Sequence, residues 1–165
     1  MCVPNVNAVE ACVWVMSTET PAVPPSPIEK PLQDLSAQLT GDVESSDQTR
    51  HLYSTDASIY QVQPAGVVAP ATREDVRATV EFAREHDTSL VARGAGSSLT
   101  GNAVGEGIVV DTSRHLNDIV QIDAENEVAR VQPGVVLDDL NEALSGHGLY
   151  FPLDPSTSST CTIGG

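Results

Sequence analysis

Apolar positions along the chain recur with two different periods, and the switches between them outline its elements. Leu32, Leu35 and Leu39 fall on one helical face, with Gly41 as a stop. The polar stretch SSDQTRHLYSTDASIYQVQP (residues 45–64) is predicted to be about half helical. Val67 and Val68 form a short strand that Pro70 ends. Thr72 followed by Asp75 predicts a capping box. Behind it, Val76, Thr79, Val80 and Ala83 recur at i, i+3, i+4 and i+7, predicting one buried face that runs to about His86. TSLVA (88–92) and GIVVDT (107–112) read as strands. DIVQID and EVARVQPG read as a hairpin with its turn at Ala124–Asn126. VLDDLNEALSGHG predicts a helix with Leu137, Leu140 and Leu144 inward, ended by Gly146 or Gly148. Residues 149–165 read as loop. The order is mixed, with a β–α–β–loop–β run followed by a hairpin and a helix.

The first 31 residues have a different character. Met1–Val15 differs in pattern from the rest of the chain, and Met16 opens a polar segment that is a natural start. Residues 17–31 carry five prolines and are expected to be a disordered lead-in, with order beginning near Leu32. The most apolar N-terminal stretch, VEACVWVM, is too short to span a bilayer and contains Glu10. It has no basic residue ahead of it, as a secretory leader would. A cytoplasmic location is the expectation.

Charge narrows the function. With 23 acidic and 8 basic residues the formal charge is −15. Lys30 is the single lysine. Nucleic-acid binding needs a basic patch, and this composition argues against it. A carboxylate-rich surface spread along the chain fits adaptation to high salt; the plainer reading is a self-repelling surface. Cys2, Cys12 and Cys161 make neither a disulfide framework nor a metal spacing, and the four histidines form no HxxxH pair. Cys161 reads as a small buried residue.

The stretch ARGAGSSLTGNAVG (92–105) carries the chemistry. Closely spaced glycines let a ligand lie against bare peptide N–H groups, and convergent N–H groups bind phosphate. Gly96 and Gly101 have P-loop spacing, but Asn102 and Ala103 stand where Lys and Ser or Thr are required. Gly94 and Gly96 begin a dinucleotide fingerprint, but Leu99 replaces its third glycine, and the loop leads into a strand and not a helix. The expectation is a strand–loop–strand cradle. It would hold a pyrophosphate through neutral N–H donors and the hydroxyls of Ser97, Ser98 and Thr100.

RGAGSSLTGNAVGEGIVVDTSRHLN resembles the pyrophosphate loop of FAD-linked oxidases of the vanillyl-alcohol-oxidase or PCMH type, and most of all the glycolate oxidase/D-lactate dehydrogenase branch. YSTDASIYQVQPAGVVAPATREDV, ARVQPGVVLDDLNEAL and GLYFPLDPSTSSTCTIGG are similar to further stretches of that family, in the same order, so the resemblance covers about residues 50–165. It implies an α+β, PCMH-type FAD-binding fold, with a first subdomain over 32–113 and an incomplete second over 114–165. It implies that Arg93, Gly94, Ala95, Gly96, Ser97, Ser98, Leu99, Gly101 and Asn102 wrap the pyrophosphate. Pro152, Asp154, Pro155 and Ser156 would lie along the ribityl and pyrophosphate, and Thr160, Thr162, Ile163, Gly164 and Gly165 near the flavin ring or ribityl. Some relatives attach flavin through a histidine in the loop; none lies between 93 and 102 here, so the FAD is expected to be non-covalent.

The resemblance further implies a small 2-hydroxy acid as substrate of an intact protein and an acceptor such as an iron–sulfur domain or subunit. With the acidic surface it implies a haloarchaeal source. Relatives continue beyond the point matching Gly165, so a fragment of a longer protein is expected, and no residue here is assigned a catalytic role. A flavin- or nucleotide-binding module without chemistry of its own stays open as the second reading.

Overall fold

A computed structural model describes residues 28–165. The expectations for residues 1–27 lie outside the described residues. The first helix, α1 (Glu29–Ser36), opens three residues ahead of Leu32. Pro31 falls in its first turn, where an N–H has no helical partner to lose. Leu32 and Leu35 are buried as expected, but the helix stops well before Gly41. Gly41 has a different task, lying so close to the backbone of Ala69–Ala71 that a Cβ there would overlap it.

Strand β1 (Asp42–Glu44) and the short helix α2 (Asp47–Leu52) come next, α2 capped by Ser46, whose hydroxyl accepts from Thr49 N. Strand β2 (Gly66–Ala69), helix α3 (Arg73–Glu85), strand β3 (Leu90–Arg93) and strand β4 (Ile108–Asp111) complete one sheet of order β1-β2-β4-β3. Here β2, β4 and β3 are parallel, and β1 is an antiparallel edge. The two central strands are buried along their whole length, as continuous apolar runs in a covered sheet should be.

The capping box of α3 is present in both directions. Asp75 accepts from Thr72 N and Ala71 N, and also from Thr40 N and Gly41 N, tying α3 to the entry of β1. The buried face of α3 is rotated from the expected one. Thr79, Phe82 and Ala83 are inside, whereas Val80 is 51% exposed. Phe82 is larger than Val80 and fills the space over Leu32, Leu35, Val68 and Ile108 in the first core cluster. Burying its ring stabilises more than burying a valine.

The second half is a hairpin, β5 (Ile119–Asp123) and β6 (Val128–Val131), followed by α4 (Leu137–Ser145). Asp123 holds the turn by accepting from Asn126 N and Nδ2. Leu137, Leu140 and Leu144 are buried, the last two packing with Val135 in a second cluster. Gly148, at φ +70°, reverses the chain after α4. Residues 149–165 contain no regular element, yet they are fixed: Leu137 N donates to Cys161 O, Ile163 N to Val135 O and Gly164 N to Pro133 O. Among the described residues, no helix is long and apolar enough to cross a membrane.

Candidate functional site

Because β3 and β4 are parallel neighbours, the chain must cross back from the end of β3 to the start of β4, and here it does so without a helix. Residues 94–107 make that return. The turn begins at Gly94, directly beyond the β3 edge. There, a Cβ would overlap Thr162 Oγ1 and come within 3.1 Å of Gly165 Cα. Gly96 is at φ +70°, a conformation that side-chain-bearing residues rarely adopt. Gly101 packs on the Tyr60 ring and Gly105 on Val91, so these two glycines shape the return path.

The result is a cavity of about 270 Å³ between two loops. Ala92, Gly94 to Ser98, Asn102 and Ala103 line one side, and Cys161, Thr162 and Gly165 the other. The N–H groups of Ala95, Gly96, Ser97, Ser98 and Leu99 donate to no acceptor among the described residues. Ser98 Oγ, by contrast, accepts from Thr100 N at 3.3 Å and Asn102 N at 3.1 Å. That hydroxyl braces the loop. Thr162 is 9% exposed, and among the described residues its buried Oγ1 has no hydrogen-bond partner. Among the described residues, no Lys, Arg, His, Asp or Glu side chain lines this wall. Free N–H donors, an orphan hydroxyl and the absence of a carboxylate side chain suit a phosphate group.

The expected site residues separate accordingly. Gly94, Ala95, Gly96, Ser97, Ser98, Asn102, Thr162 and Gly165 are brought together around the cavity. Leu99, 79% exposed, and Gly101 are outside it. Pro152 and Ile163 instead line an apolar cavity of about 520 Å³ between the hairpin, α4 and the 149–152 segment. Asp154, Pro155, Ser156 and Thr160 are exposed and line neither cavity, nor does Gly164, which packs against Pro133. Cys161 is half-buried and faces the cavity, where the sequence suggested a buried filler.

Arg93 does not line the cavity. Its Nη1 donates to Thr55 O at 2.9 Å and Ala103 O at 3.1 Å, and its Cζ lies 5.2 Å from the centroid of the Tyr53 ring. Asp56 accepts from Ser58 N and, at 3.3 Å, from Ala103 N, and Ala57 N donates to Gly96 O at 3.1 Å. The Ser58 bonds, together with the Ala103 N–H and the Arg93 charge, hold the Asp56 carboxyl below its ordinary value. Tyr53 Oη donates to Asp111 Oδ2 at 2.6 Å, and burial, then this carboxylate, pushes the phenol up. Asp111, 4% exposed, also accepts from Ser113 N and Oγ. Arg114 bonds Glu44 at 3.0 Å and lies over the same Tyr53 ring. Sequence reasoning did not single out residues 53–57 as support for the loop, because nothing local marks a segment that acts 40 residues away.

Three parallel strands and a strand–loop–strand return thus build the cavity wall. Residues 64–165 match the family described as FAD binding domain, and the chain belongs to that family. Its cofactor is FAD. The chain is 42% identical to D-2-hydroxyglutarate dehydrogenase of Escherichia coli (strain K12) over 138 residues, which are 81% of this chain and 14% of that protein. It is 37% identical to glycolate oxidase subunit GlcD of Bacillus subtilis (strain 168), over 84% of this chain and 30% of the relative. Among solved structures, alkyldihydroxyacetonephosphate synthase superposes with TM-score 0.74 at 20% identity, covering 86% of this chain and 29% of that one. p-Cresol methylhydroxylase gives 0.68 at 22% identity, covering 80% and 27%. The fold is therefore the α+β PCMH type. The chain spans less than a third of the length of each of these proteins.

Proposed function

We propose that this chain is the FAD-holding portion of an oxidoreductase that acts on a 2-hydroxy acid, with subdomains over 32–113 and 114–165. The observation that carries the flavin part is the cavity between Gly94–Ser98 and Thr162, rich in free N–H donors and holding an orphan hydroxyl. The substrate class rests on the relatives, a D-2-hydroxyglutarate dehydrogenase and a glycolate oxidase subunit. D-Lactate or glycolate is the proposed substrate type.

In this reading the N–H groups of Ala95, Gly96, Ser97 and Ser98 hold the diphosphate without a cation. Thr162 Oγ1 donates to the cofactor from the opposite wall. The roles of Pro152, Asp154, Pro155, Ser156 and Thr160 along the ribityl remain part of the proposal. The bound flavin ring supplies a two-electron acceptor. Attachment is non-covalent, so acid precipitation should leave the flavin in the supernatant. We further propose an iron–sulfur domain or subunit among the electron acceptors, a cytoplasmic location, and a salt-adapted, haloarchaeal source, the last from the charge of −15.

One observation favours a narrower role for this portion. Its cavity wall offers no carboxylate, histidine or lysine side chain to accept a substrate proton. Holding flavin, and not the proton transfer, is the task proposed for it.

The test is an equilibrium titration of FAD by fluorescence anisotropy against the chain and its Gly96→Val variant. Valine would be strained at φ +70° and would collide with the Arg93 guanidinium. Binding by the unaltered chain and loss in the variant are expected. Equal binding by both would refute the cradle.

A further inference from the structure

We infer that Arg93 is a positioning residue that shapes the cradle from behind, and that Tyr53 sets its guanidinium. The inference rests on the flavin reading above.

An arginine beside a phosphate loop would ordinarily be read as the ligand that neutralises the phosphate. Here Nη1 is committed elsewhere, and Arg93 does not line the cavity. Nη1 reaches the carbonyls of Thr55 and Ala103, bridging the segment before the loop and the far end of the loop itself. The same two stretches are joined twice more, by Ala57 N to Gly96 O and by Ala103 N to Asp56. The backbone of Gly96 rests against the guanidinium so closely that a Cβ would come within 2.7 Å of Cζ. A planar group fits under that turn where a tetrahedral ammonium does not.

Tyr53 supplies the surface on which this group lies. Its ring face lies 5.2 Å from the guanidinium carbon, while its Oη donates at 2.6 Å to the buried Asp111, the register partner of Arg93 across β3 and β4. The local charges are the guanidiniums of Arg93 and Arg114 against the carboxylates of Glu44, Asp56 and Asp111, so the cluster carries no surplus positive charge to offer a diphosphate. Arg93 therefore acts through the shape it gives the Ala95–Ser98 backbone.

The experiment compares Arg93→Lys, Arg93→Gln, Tyr53→Ala and Tyr53→Phe with the unaltered chain. One readout is FAD affinity by anisotropy. The other is hydrogen exchange without ligand at the Ala57 and Ala103 amides, both hydrogen-bonded in the cradle. A positioning role requires Arg93→Lys and Arg93→Gln to lose affinity alike, by about tenfold or more, as loss of charge-assisted bonds does. Tyr53→Ala should match them, and Tyr53→Phe, which keeps the ring face, should stay within about twofold of the unaltered chain. Exchange at Ala57 and Ala103 should quicken in the first three variants and not in Tyr53→Phe. A phosphate-ligand role would instead leave Tyr53→Ala unaffected, Arg93→Lys much better than Arg93→Gln, and the exchange rates unchanged; that pattern overturns the inference. If the unaltered chain binds no FAD while exchange keeps the expected order, the flavin reading fails and the positioning of the loop by Arg93 stands.

Discussion

Thr162 Oγ1 occupies the space that a Cβ on Gly94 would need, so the two loops touch through a residue with no side chain and a hydroxyl with no partner. Gly165 Cα closes the same contact, 3.1 Å from that Cβ position. The glycine at 94 is thus required by the opposite wall.

Gly94→Ala should destabilise the chain by about 1–3 kcal/mol, the usual cost of forcing one carbon into a packed site. Thr162→Ala in the same chain should recover most of the loss, because it removes the Oγ1 that the new methyl meets. A double-mutant cycle in thermal unfolding measures the coupling. Additive effects would mean that the two loops do not meet as described.

Thr162→Val separates stability from binding. A buried hydroxyl without a partner costs about 1–3 kcal/mol, and an apolar group of the same shape avoids that cost. The variant should therefore unfold at a higher temperature than the unaltered chain when no ligand is present. Its FAD affinity should fall if Oγ1 donates to the cofactor. A variant that loses unliganded stability would show that the hydroxyl already has a partner.

The sequence made the fold legible wherever one face of an element had to be apolar. Leu137, Leu140 and Leu144 could only point inward, and the Thr72–Asp75 box opens a helix. It misled where two faces competed. Val80 continued the periodic stripe, but Phe82, one position off it, had more surface to bury and turned α3. The site was half legible for a related reason. Glycine density marks a bare backbone, and Gly94–Ser98 do form the cavity wall. It does not say which polar groups the fold consumes. Arg93 Nη1 is spent on Thr55 and Ala103, and Ser98 on its own loop. Those bonds depend on segments brought together by β3 and β4, which no local pattern records.

Asp75 should control acid stability. Burial works to raise its pKa, but the N–H groups of Thr40, Ala71, Gly41 and Thr72 outweigh it and hold the carboxyl below its ordinary value. A depressed folded pKa means that the folded state binds fewer protons, so the contribution is present above the unfolded value of about 3.9 and is lost as pH falls through the folded value. Asp75→Ala should cost about 3 kcal/mol near pH 7, from the lost cap and the stranded donors. The gap between the two proteins should narrow steadily below about pH 4 in denaturant unfolding. A gap that is constant down to pH 2 would remove the carboxylate from the explanation.

The acidic surface should make folding depend on salt. With a formal charge of −15, exposed carboxylates repel one another in the folded chain. The screening length shortens from about 10 Å at 0.1 M to about 3 Å at 1 M. Far-UV circular dichroism in low salt should show lost structure that molar KCl restores. Superimposable spectra would refute adaptation to high salt.

The chain by itself should hold FAD only weakly and turn over neither D-lactate nor glycolate. Disorder in residues 149–165 is not the reason, since Leu137, Ile163 and Gly164 already tie that segment to the 133–137 stretch. The reason is coverage. The cavity of about 270 Å³ is smaller than the roughly 300–1,000 Å³ that encloses a drug-sized ligand, so it can surround a diphosphate but not a whole dinucleotide. The flavin ring would stay in contact with water, and among the described residues no carboxylate or imidazole side chain lines the wall. FAD should therefore bind in an equilibrium titration with a Kd on the order of 10 μM or weaker, about −7 kcal/mol, and be stripped on a sizing column. A dye-linked assay with either hydroxy acid should give no rate above background. Stoichiometric flavin surviving the column, with turnover, would show that the residues needed for both tasks are already present in these 165 positions.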